Sequence, residues 1–153
     1  MLFLHRFLPV IMSLILSMVG SGAIQPLARI QAAPVLPNMS VTSRVDSNYY
    51  TSLAYIDTEL TFQTEVHNTG NVPLGIVANL TPPSDWDVNN QSDDCPDDLA
   101  PGNICTLTWV FTPHVSRQVT VNYYVHGFYT DSYGNTRSIT ISPAFLFSVL
   151  PPI

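Results

Sequence analysis

Beyond about residue 38 the chain consists of short runs in which apolar and polar residues alternate. Residues 58–67 show this most clearly, with Leu60, Phe62 and Val66 on one side and Glu65 on the other. A period of two is that of a β-strand with one face in the core and the other in water. No ten-residue window carries the apolar stripe of an amphipathic helix, so the pattern predicts an all-β fold.

The alternating runs predict strands at residues 39–45, 49–55, 58–67, 74–80, 104–111, 118–130 and 138–150. The last two are joined by a turn at 131–135 and are predicted to form a hairpin. Residues 85–103 are polar and are predicted to be a loop. Seven or eight short strands with turn signals about every 8–12 residues are typical of a single immunoglobulin-like antiparallel β-sandwich.

The first residues follow a different pattern. An apolar stretch at 7–19 comes after His5 and Arg6, and small residues follow it, which is the layout of a secretory signal. A helix that spans a bilayer needs about 20 apolar residues. Gly20 and Gly22 interrupt the stretch before that length is reached, so a cleaved signal is favoured over a membrane anchor.

The residues after the signal predict where it is removed. Small residues place the cut after Ala23, or after Ala32 or Ala33. Residues 1–33 are therefore a predicted signal peptide and leader, and 34–153 the folded domain. The protein is expected outside the cell or in the cell envelope, with membrane association only through an uncleaved signal.

The net negative charge of the chain argues against one class of function. The 153 residues contain five arginines, no lysine and eleven acidic residues, for a formal charge of −6. Loss of residues 1–33 leaves three arginines against the same eleven acids, a charge of −8. Such a chain has no basic surface for a phosphate backbone, so nucleic-acid binding is not expected.

Cys95 and Cys105 are the two cysteines of the chain. In an exported protein such a pair is expected to form a disulfide bond. The nine residues between them include Pro96, Pro101 and Gly102, which allow the chain to double back. A redox or metal-binding dithiol would favour a C-x-x-C spacing, which is absent, so a structural clasp is predicted.

The polar stretch is rich in carboxylates, and oxygen ligands in a loop are what calcium favours. The simpler interpretation is a solvated acidic loop, because the glycine and glutamate that an EF-hand loop requires are missing. Calcium is the one cofactor that the sequence suggests. Its candidate ligands are Asp85, Asp87, Asp93, Asp94, Asp97 and Asp98.

Catalytic chemistry is not indicated. The sequence has no G-x-S-x-G motif for a serine nucleophile. His67, His114 and His126 lie on exposed strand faces or in a turn, without the ligand pattern of a copper or zinc site. We therefore predict no catalytic residues, no metal site at the histidines and no enzymatic activity.

Aromatic side chains are the remaining candidates for binding. Exposed rings could stack on sugar rings or on a protein partner, although packing in the core accounts for some of them equally well. The candidates are Tyr49, Tyr50, Trp86, Tyr124, Tyr129 and Tyr133. Asn38, Asn79 and Asn90 begin Asn-x-Ser/Thr sequons, which are glycan sites where the host has the machinery.

The C-terminal residues 143–153 are unusually apolar, with Phe145, Phe147 and Val149 among them. Two interpretations remain open. The segment is either a buried final strand, or a strand that pairs with a second copy and so mediates self-association.

Several motifs resemble a known family. The turn 68–74, Asn-Thr-Gly-Asn-Val-Pro-Leu, lies between two strands, and Trp86 and the run Leu-Ala-Pro-Gly at 99–102 follow it. With the hairpin turn at 131–135, this arrangement is similar to the conserved-repeat and cell-adhesion-related Ig-like domains of prokaryotic surface proteins. The likeness covers about residues 41–149.

The resemblance implies a secreted or cell-surface structural or adhesion module without catalytic activity. Its expected partners are a cell-surface protein or a polysaccharide. The alternative prediction is a carbohydrate-binding module that uses the exposed tyrosine and tryptophan rings.

Overall fold

A computed structural model describes residues 33–45 and 53–152, so the predicted signal peptide and Tyr49 and Tyr50 lie outside the described residues. No helix long and apolar enough to cross a membrane occurs in these two ranges. They contain nine strands: β1 Met39–Val45, β2 Leu53–Tyr55, β3 Leu60–Asn68, β4 Gly75–Leu80, β5 Trp86–Asp93, β6 Ile104–Pro113, β7 Gln118–Thr130, β8 Thr136–Ile141 and β9 Ala144–Leu150.

The strands form two sheets. Sheet A has the order β1-β3-β6-β5, and sheet B has the order β2-β9-β7-β4, with β8 also paired to β7. The pairs are antiparallel except β2 with β9, which is parallel. β7 is long enough to pair with β9 along its first half and with β8 along its second half.

Aromatic rings fill the space between the two sheets. Phe62 on sheet A has no solvent exposure, and its ring centroid lies 5.5 Å from that of Tyr123 and 5.7 Å from that of Phe147, both on sheet B. Burying one such side chain contributes about 1.5–3 kcal/mol. The alternating pattern that predicted the strands is therefore the pattern that builds the core.

One polar group crosses this core. The Tyr123 hydroxyl forms hydrogen bonds with Ser43 on β1 and with Thr64 Oγ1 on β3, the latter at 3.3 Å. Thr64 is fully buried, so the tyrosine supplies the partner that its hydroxyl needs. Burial raises the pKa of Tyr123 above its usual value of 10.0. The contact joins sheet A to sheet B.

The predicted strands are confirmed in most places. β1 and β7 have the predicted bounds, and β7 forms the predicted hairpin with the segment after it. That segment, predicted as one strand, is divided into β8 and β9 at Ser142 and Pro143, because proline has no N–H to continue a ladder. β9 pairs with β7 and β2 and buries Phe147 and Val149, so the C-terminal segment is a buried final strand.

The prediction that residues 85–103 form one loop is wrong, because β5 occupies the first half of this stretch. β5 pairs with β6, with a bulge between Val88 and Asn90. It is an edge strand whose first residue, Trp86, is buried while the rest are exposed. The alternation that marks other strands is therefore absent here.

A tight turn precedes β6, at the Pro101 and Gly102 that were predicted to let the chain double back. Asn103 donates its N–H to the Ala100 carbonyl at 3.1 Å, and Gly102 has a φ of 80°. A proline followed by a glycine with positive φ is the pattern of a type II turn. This turn directs the chain into β6.

Asn68 and Gly70 mark a turn as predicted, and neither is among the positive-φ residues of the described chain. A Cβ at Gly70 would lie 2.6 Å from the Asn38 nitrogen and 2.6 Å from the Leu36 oxygen. The glycine is needed because the N-terminal segment passes directly against it.

Candidate functional site

The outer face of sheet B carries three ring side chains in line on β7. Side chains alternate along a strand, so Tyr124, His126 and Phe128 all point outward while Tyr123 and Val125 point into the core. Ring centroids lie 6.4 Å apart for Tyr124 and His126, and 6.1 Å apart for His126 and Phe128. We call Tyr124, His126 and Phe128 the ring row.

The residues beside the ring row are small or uncharged. On β4, Asn79, Val77 and Gly75 pair with Tyr124, His126 and Phe128 respectively, and Val77 is 47% exposed. On β8, Thr140 and Ser138 pair with His126 and Phe128. The hydroxyl of Thr140 lies 2.9 Å from His126 Nδ1 and holds the imidazole in the row. The result is an apolar strip with amide and hydroxyl groups on both sides.

A cavity of about 400 Å³ adjoins the Phe128 end of the row. Gly75 lies opposite Phe128 in the ladder, and the absence of a side chain there leaves one side of the ring uncovered. The volume is within the range of about 300–1,000 Å³ found for small-molecule sites. The cavity is lined by Val72, Pro73, Gly75, Asp98, Phe128, Tyr129, Thr130 and Thr136.

The structure brings only some of the predicted aromatic candidates to this face. Tyr124 belongs to the ring row and is 49% exposed, and Tyr129 lines the cavity. Tyr133 is 86% exposed at the tip of the β7–β8 hairpin. Trp86 is 5% exposed and packs against Phe147, so the prediction of an exposed ring there is wrong.

Sequence reasoning missed Phe128 and His126 as parts of this surface. The signal that could have found them is their spacing, since both lie an even number of residues from Tyr124 on a predicted strand. No spacing pattern in the sequence indicated the cavity. Its other walls come from the segment before β4 and from the loop after β5, which are distant in sequence.

The six acidic candidates for calcium do not converge on one point. Asp87 and Asp93 are six residues apart on extended β5, which corresponds to about 20 Å. Asp85 forms an ion pair with Arg117, and the Asp93 and Asp94 carboxylates accept hydrogen bonds from the N–H groups of Cys95 and Thr106. Asp97 and Asp98 follow in the loop after β5, where Asp98 lines the cavity.

The predicted disulfide is confirmed. Cys95 and Cys105 are bonded, with their Cα atoms 4.9 Å apart. Asp94 has an oxygen near both sulfur atoms, but sulfurs joined to each other are not available as thiolate ligands. The bond ties the loop after β5, which carries the cavity residue Asp98, to the start of β6.

The three histidines are far from forming one site. His67 lies at the end of β3, and His126 is in the ring row. His114 follows β6, where its Nδ1 lies 2.7 Å from Asp57 Oδ1 and its Nε2 lies 3.0 Å from Asp87 Oδ2. The hydrogen bond with Asp57, followed by that with Asp87, raises the pKa of His114 above 6.5.

The sequence matches no protein-family model and no curated protein. A CARDB domain from Pyrococcus furiosus, solved in complex with di-metal ions, covers 78% of this chain and 99% of its own, with 14% identity and a TM-score of 0.52. The GAE domain of GGA2p from Saccharomyces cerevisiae covers 74% of this chain and 97% of its own, with 11% identity and a TM-score of 0.48.

VesB protease from Vibrio cholerae covers 72% of this chain but 31% of its own length, with 16% identity and a TM-score of 0.47. Of these three structures, the CARDB domain alone exceeds a TM-score of 0.5. At 14% identity that likeness concerns the fold and not the activity. The described part of the chain is an immunoglobulin-like β-sandwich, as the strand pattern predicted.

Proposed function

We propose that this chain is a non-catalytic, immunoglobulin-like module with a structural or adhesive role outside the cell or in the cell envelope. The observation that carries the proposal is the ring row, which presents exposed apolar surface on a rigid sheet. Contiguous exposed apolar patches mark interaction sites on soluble proteins. The outer face of sheet B is thus the proposed contact surface.

The two outer faces of the sandwich differ in a way that supports this choice. The outer face of sheet A is mainly polar. Ile104 is exposed at one end of it, but the face carries an ion pair of 2.9 Å between Arg44 and Glu65, and Gln63 accepts a hydrogen bond from Arg44. Val77, Tyr124 and Phe128 on sheet B are 40–49% exposed. Exposed apolar side chains do not make a protein more soluble, so solubility alone does not account for them.

Two further observations support a non-catalytic role in an exported protein. The Cys95–Cys105 disulfide suits an oxidising compartment, in agreement with the predicted signal at residues 1–33. Both ring nitrogens of His114 are engaged by carboxylates, which leaves that imidazole no free position as a general base.

Retention on cell envelopes tests the proposal. The double variant Tyr124→Ser/Phe128→Ser should bind envelope preparations of the producing organism at least about tenfold more weakly, because burial of one aromatic side chain is worth about 1.5–3 kcal/mol. Val88→Ser on β5 removes an equally exposed apolar side chain outside the surface and should change nothing. No envelope retention of the unmodified protein, or equal retention by all three, would count against the proposal.

A second candidate function is carbohydrate binding. It is favoured by the cavity beside Phe128, where the Asp98 carboxylate and the hydroxyls of Thr130 and Thr136 adjoin an exposed ring face. Sugars are recognised by such a combination of stacking and hydroxyl hydrogen bonds. A glycan array separates this candidate from protein adhesion, and silence across polysaccharides removes it.

A further inference from the structure

The outer edge of β4 is already used by another segment at one point. Leu74 donates its N–H to the Leu99 carbonyl at 3.1 Å, and Leu99 donates its N–H to the Leu74 carbonyl at 2.8 Å. In an antiparallel ladder successive residues point their backbone groups to opposite sides. Gly75, Val77 and Asn79 therefore bond to β7, whereas the backbone groups of Ile76, Ala78 and Leu80 point away from it.

The pairing of β7 confirms this phase. Tyr123 donates its N–H to the Pro143 carbonyl at 3.2 Å, on the side of β7 opposite to β4. Tyr124 is the next residue, so its backbone groups point to the other side of β7, toward β4, where its register partner is Asn79. Within the described residues, Ile76 to Leu80 have no strand beside them on the outer side.

β4 also lacks the features that protect other edges. Exposed edges of natural sheets are usually blocked by charge, proline, a bulge or short length. Among the described edge strands, β5 has a bulge and two aspartates, β1 and β8 each carry an arginine, and β2 has three residues. β4 has six residues, Gly-Ile-Val-Ala-Asn-Leu, with no charge, proline or bulge.

We infer that β4 pairs antiparallel with β4 of a second copy of this chain, about a twofold axis at Ala78. Ile76 then faces the partner's Leu80, and Ala78 faces the partner's Ala78. Each of these opposed pairs exchanges two backbone hydrogen bonds, because the outward groups on both strands are in phase. On the outer face, Val77 lies opposite the partner's Asn79.

The ends of the open stretch favour a second copy as the occupant. In this register Leu74 would face the partner's Pro82, which has no N–H, and Leu74 is already bonded to Leu99. The pairing therefore stops at the same two features in both copies. Such self-complementarity is the requirement of a twofold interface.

The interface is small, so the dimer is weak. Five paired residues bury well under the 1,200–2,000 Å² or so of a stable protein complex. We expect monomers in dilute solution and pairing where copies are crowded.

Paired copies have their ring rows on the same face of one continuous sheet, which provides two contact surfaces for one partner surface. The pairing itself does not depend on what the ring row binds.

Disulfide trapping tests the register. Val77→Cys and Asn79→Cys proteins, made in a host without N-glycosylation, are mixed at high concentration and oxidised. A heterodimer linked through the two introduced cysteines should form, since directly opposed residues bring their Cβ atoms within about 4.5–5.5 Å. Each protein alone should cross-link at least tenfold less, because its own introduced cysteines are diagonal neighbours about 7–8 Å apart, near or beyond disulfide reach.

Ala78 provides the matched controls. Ala78→Pro, added to both proteins, removes an outward N–H that β7 does not use and should reduce the heterodimer at least tenfold, whereas Ala78→Ser keeps the N–H and the heterodimer. Peptide mass mapping distinguishes the link between the introduced cysteines from exchange with the native disulfide. A mixture that cross-links no better than Val77→Cys alone would overturn the inference, whether or not the proline variant folds.

Discussion

The side chain of Asn68 forms three hydrogen bonds that connect two loops of this fold. It is fully buried, and its Nδ2 donates to the Val72 and Leu99 carbonyls, each at 2.8 Å, while its Oδ1 accepts from the Gly70 N–H at 3.0 Å. A residue chosen from sequence as a turn former is thus the link between the β3–β4 turn and the loop after β5. Sequence identified the position but not this role, because the Leu99 contact spans thirty-one residues.

Substitution of Asn68 tests that link. Asn68→Ala should lower the free energy of unfolding by about 1–3 kcal/mol, because it leaves buried backbone groups without partners. Asn90→Ala, on an exposed part of β5, is the matched control and should change it by less than about 0.5 kcal/mol. Urea unfolding measures both, and equal stability of the two variants would contradict the assigned role.

His114 predicts a pH dependence. Its pKa in the folded state is raised above 6.5 by Asp57 first and then by Asp87. A group with a raised folded pKa contributes stability that is fully present below about pH 6.5 and is lost as pH rises through the folded pKa. The free energy of unfolding should therefore fall as pH rises above about 6.5.

Titration of the imidazole by NMR checks this directly. The pKa of His114 should lie above 6.5 in the unmodified protein and should fall in Asp57→Asn, which removes the carboxylate charge next to Nδ1. The decline in stability should flatten in the same variant. A His114 pKa at or below 6.5 would show that the two carboxylates do not hold the imidazolium.

At the scale of elements, the β7–β8 hairpin depends on one aspartate. The Asp131 carboxylate accepts from the Tyr133 and Asn135 N–H groups, each at 2.9 Å, and from Arg137 Nε at 3.1 Å. The Asn135 N–H is the main cause of a pKa lowered from 3.8 to about 2. This contribution is present above pH 3.8 and is lost as pH falls through about 2.

Asp131→Ala should loosen the hairpin without unfolding the sandwich. The freed N–H groups of Tyr133 and Asn135 should exchange with solvent at least tenfold faster, since local opening sets the rate there. Amides in β3 and β6 are the internal control and should keep their exchange rates. Equal protection of the hairpin amides in both proteins would argue against the carboxylate as the turn's anchor.

The predictability of each element follows from how it is buried. β1 and β7 have one face in the core, so alternation placed their bounds correctly. β5 buries one residue out of eight and contacts its neighbour mainly through the backbone, so its side chains carry no strand signal. The division of β8 from β9 was available from Pro143, but a long apolar run concealed it.

The part of the candidate site that lies on one strand was predictable from the sequence, whereas the cavity was not. Tyr124 and its neighbours lie on a single strand, where spacing alone puts rings on one face. The cavity requires Gly75, Asp98 and Phe128 to meet, and they come from three separate segments. The sheet order places β4 beside β7, and the isolated bridge between Leu74 and Leu99 brings in the segment with Asp98. No local pattern in the sequence specifies either contact.

At the scale of the whole molecule, the described sandwich has two unlike outer faces, and β4 is the unprotected one among its described edge strands. Sheet A presents mainly polar and charged side chains, whereas sheet B presents the ring row beside the open edge of β4. Binding through the face and pairing through the edge can therefore occur at the same time. A module of this kind gains strength from several weak contacts made together.

The central claim is that the outer face of sheet B is where this module contacts its partner. The most direct measurement is NMR chemical-shift mapping of the labelled protein with soluble cell-envelope fragments of the producing organism. We expect shifts concentrated on β4, β7 and β8, centred on Tyr124 and Phe128 and absent from Tyr124→Ser/Phe128→Ser. Shifts centred on β1, β3 and β6, or no shifts at all, would contradict the claim.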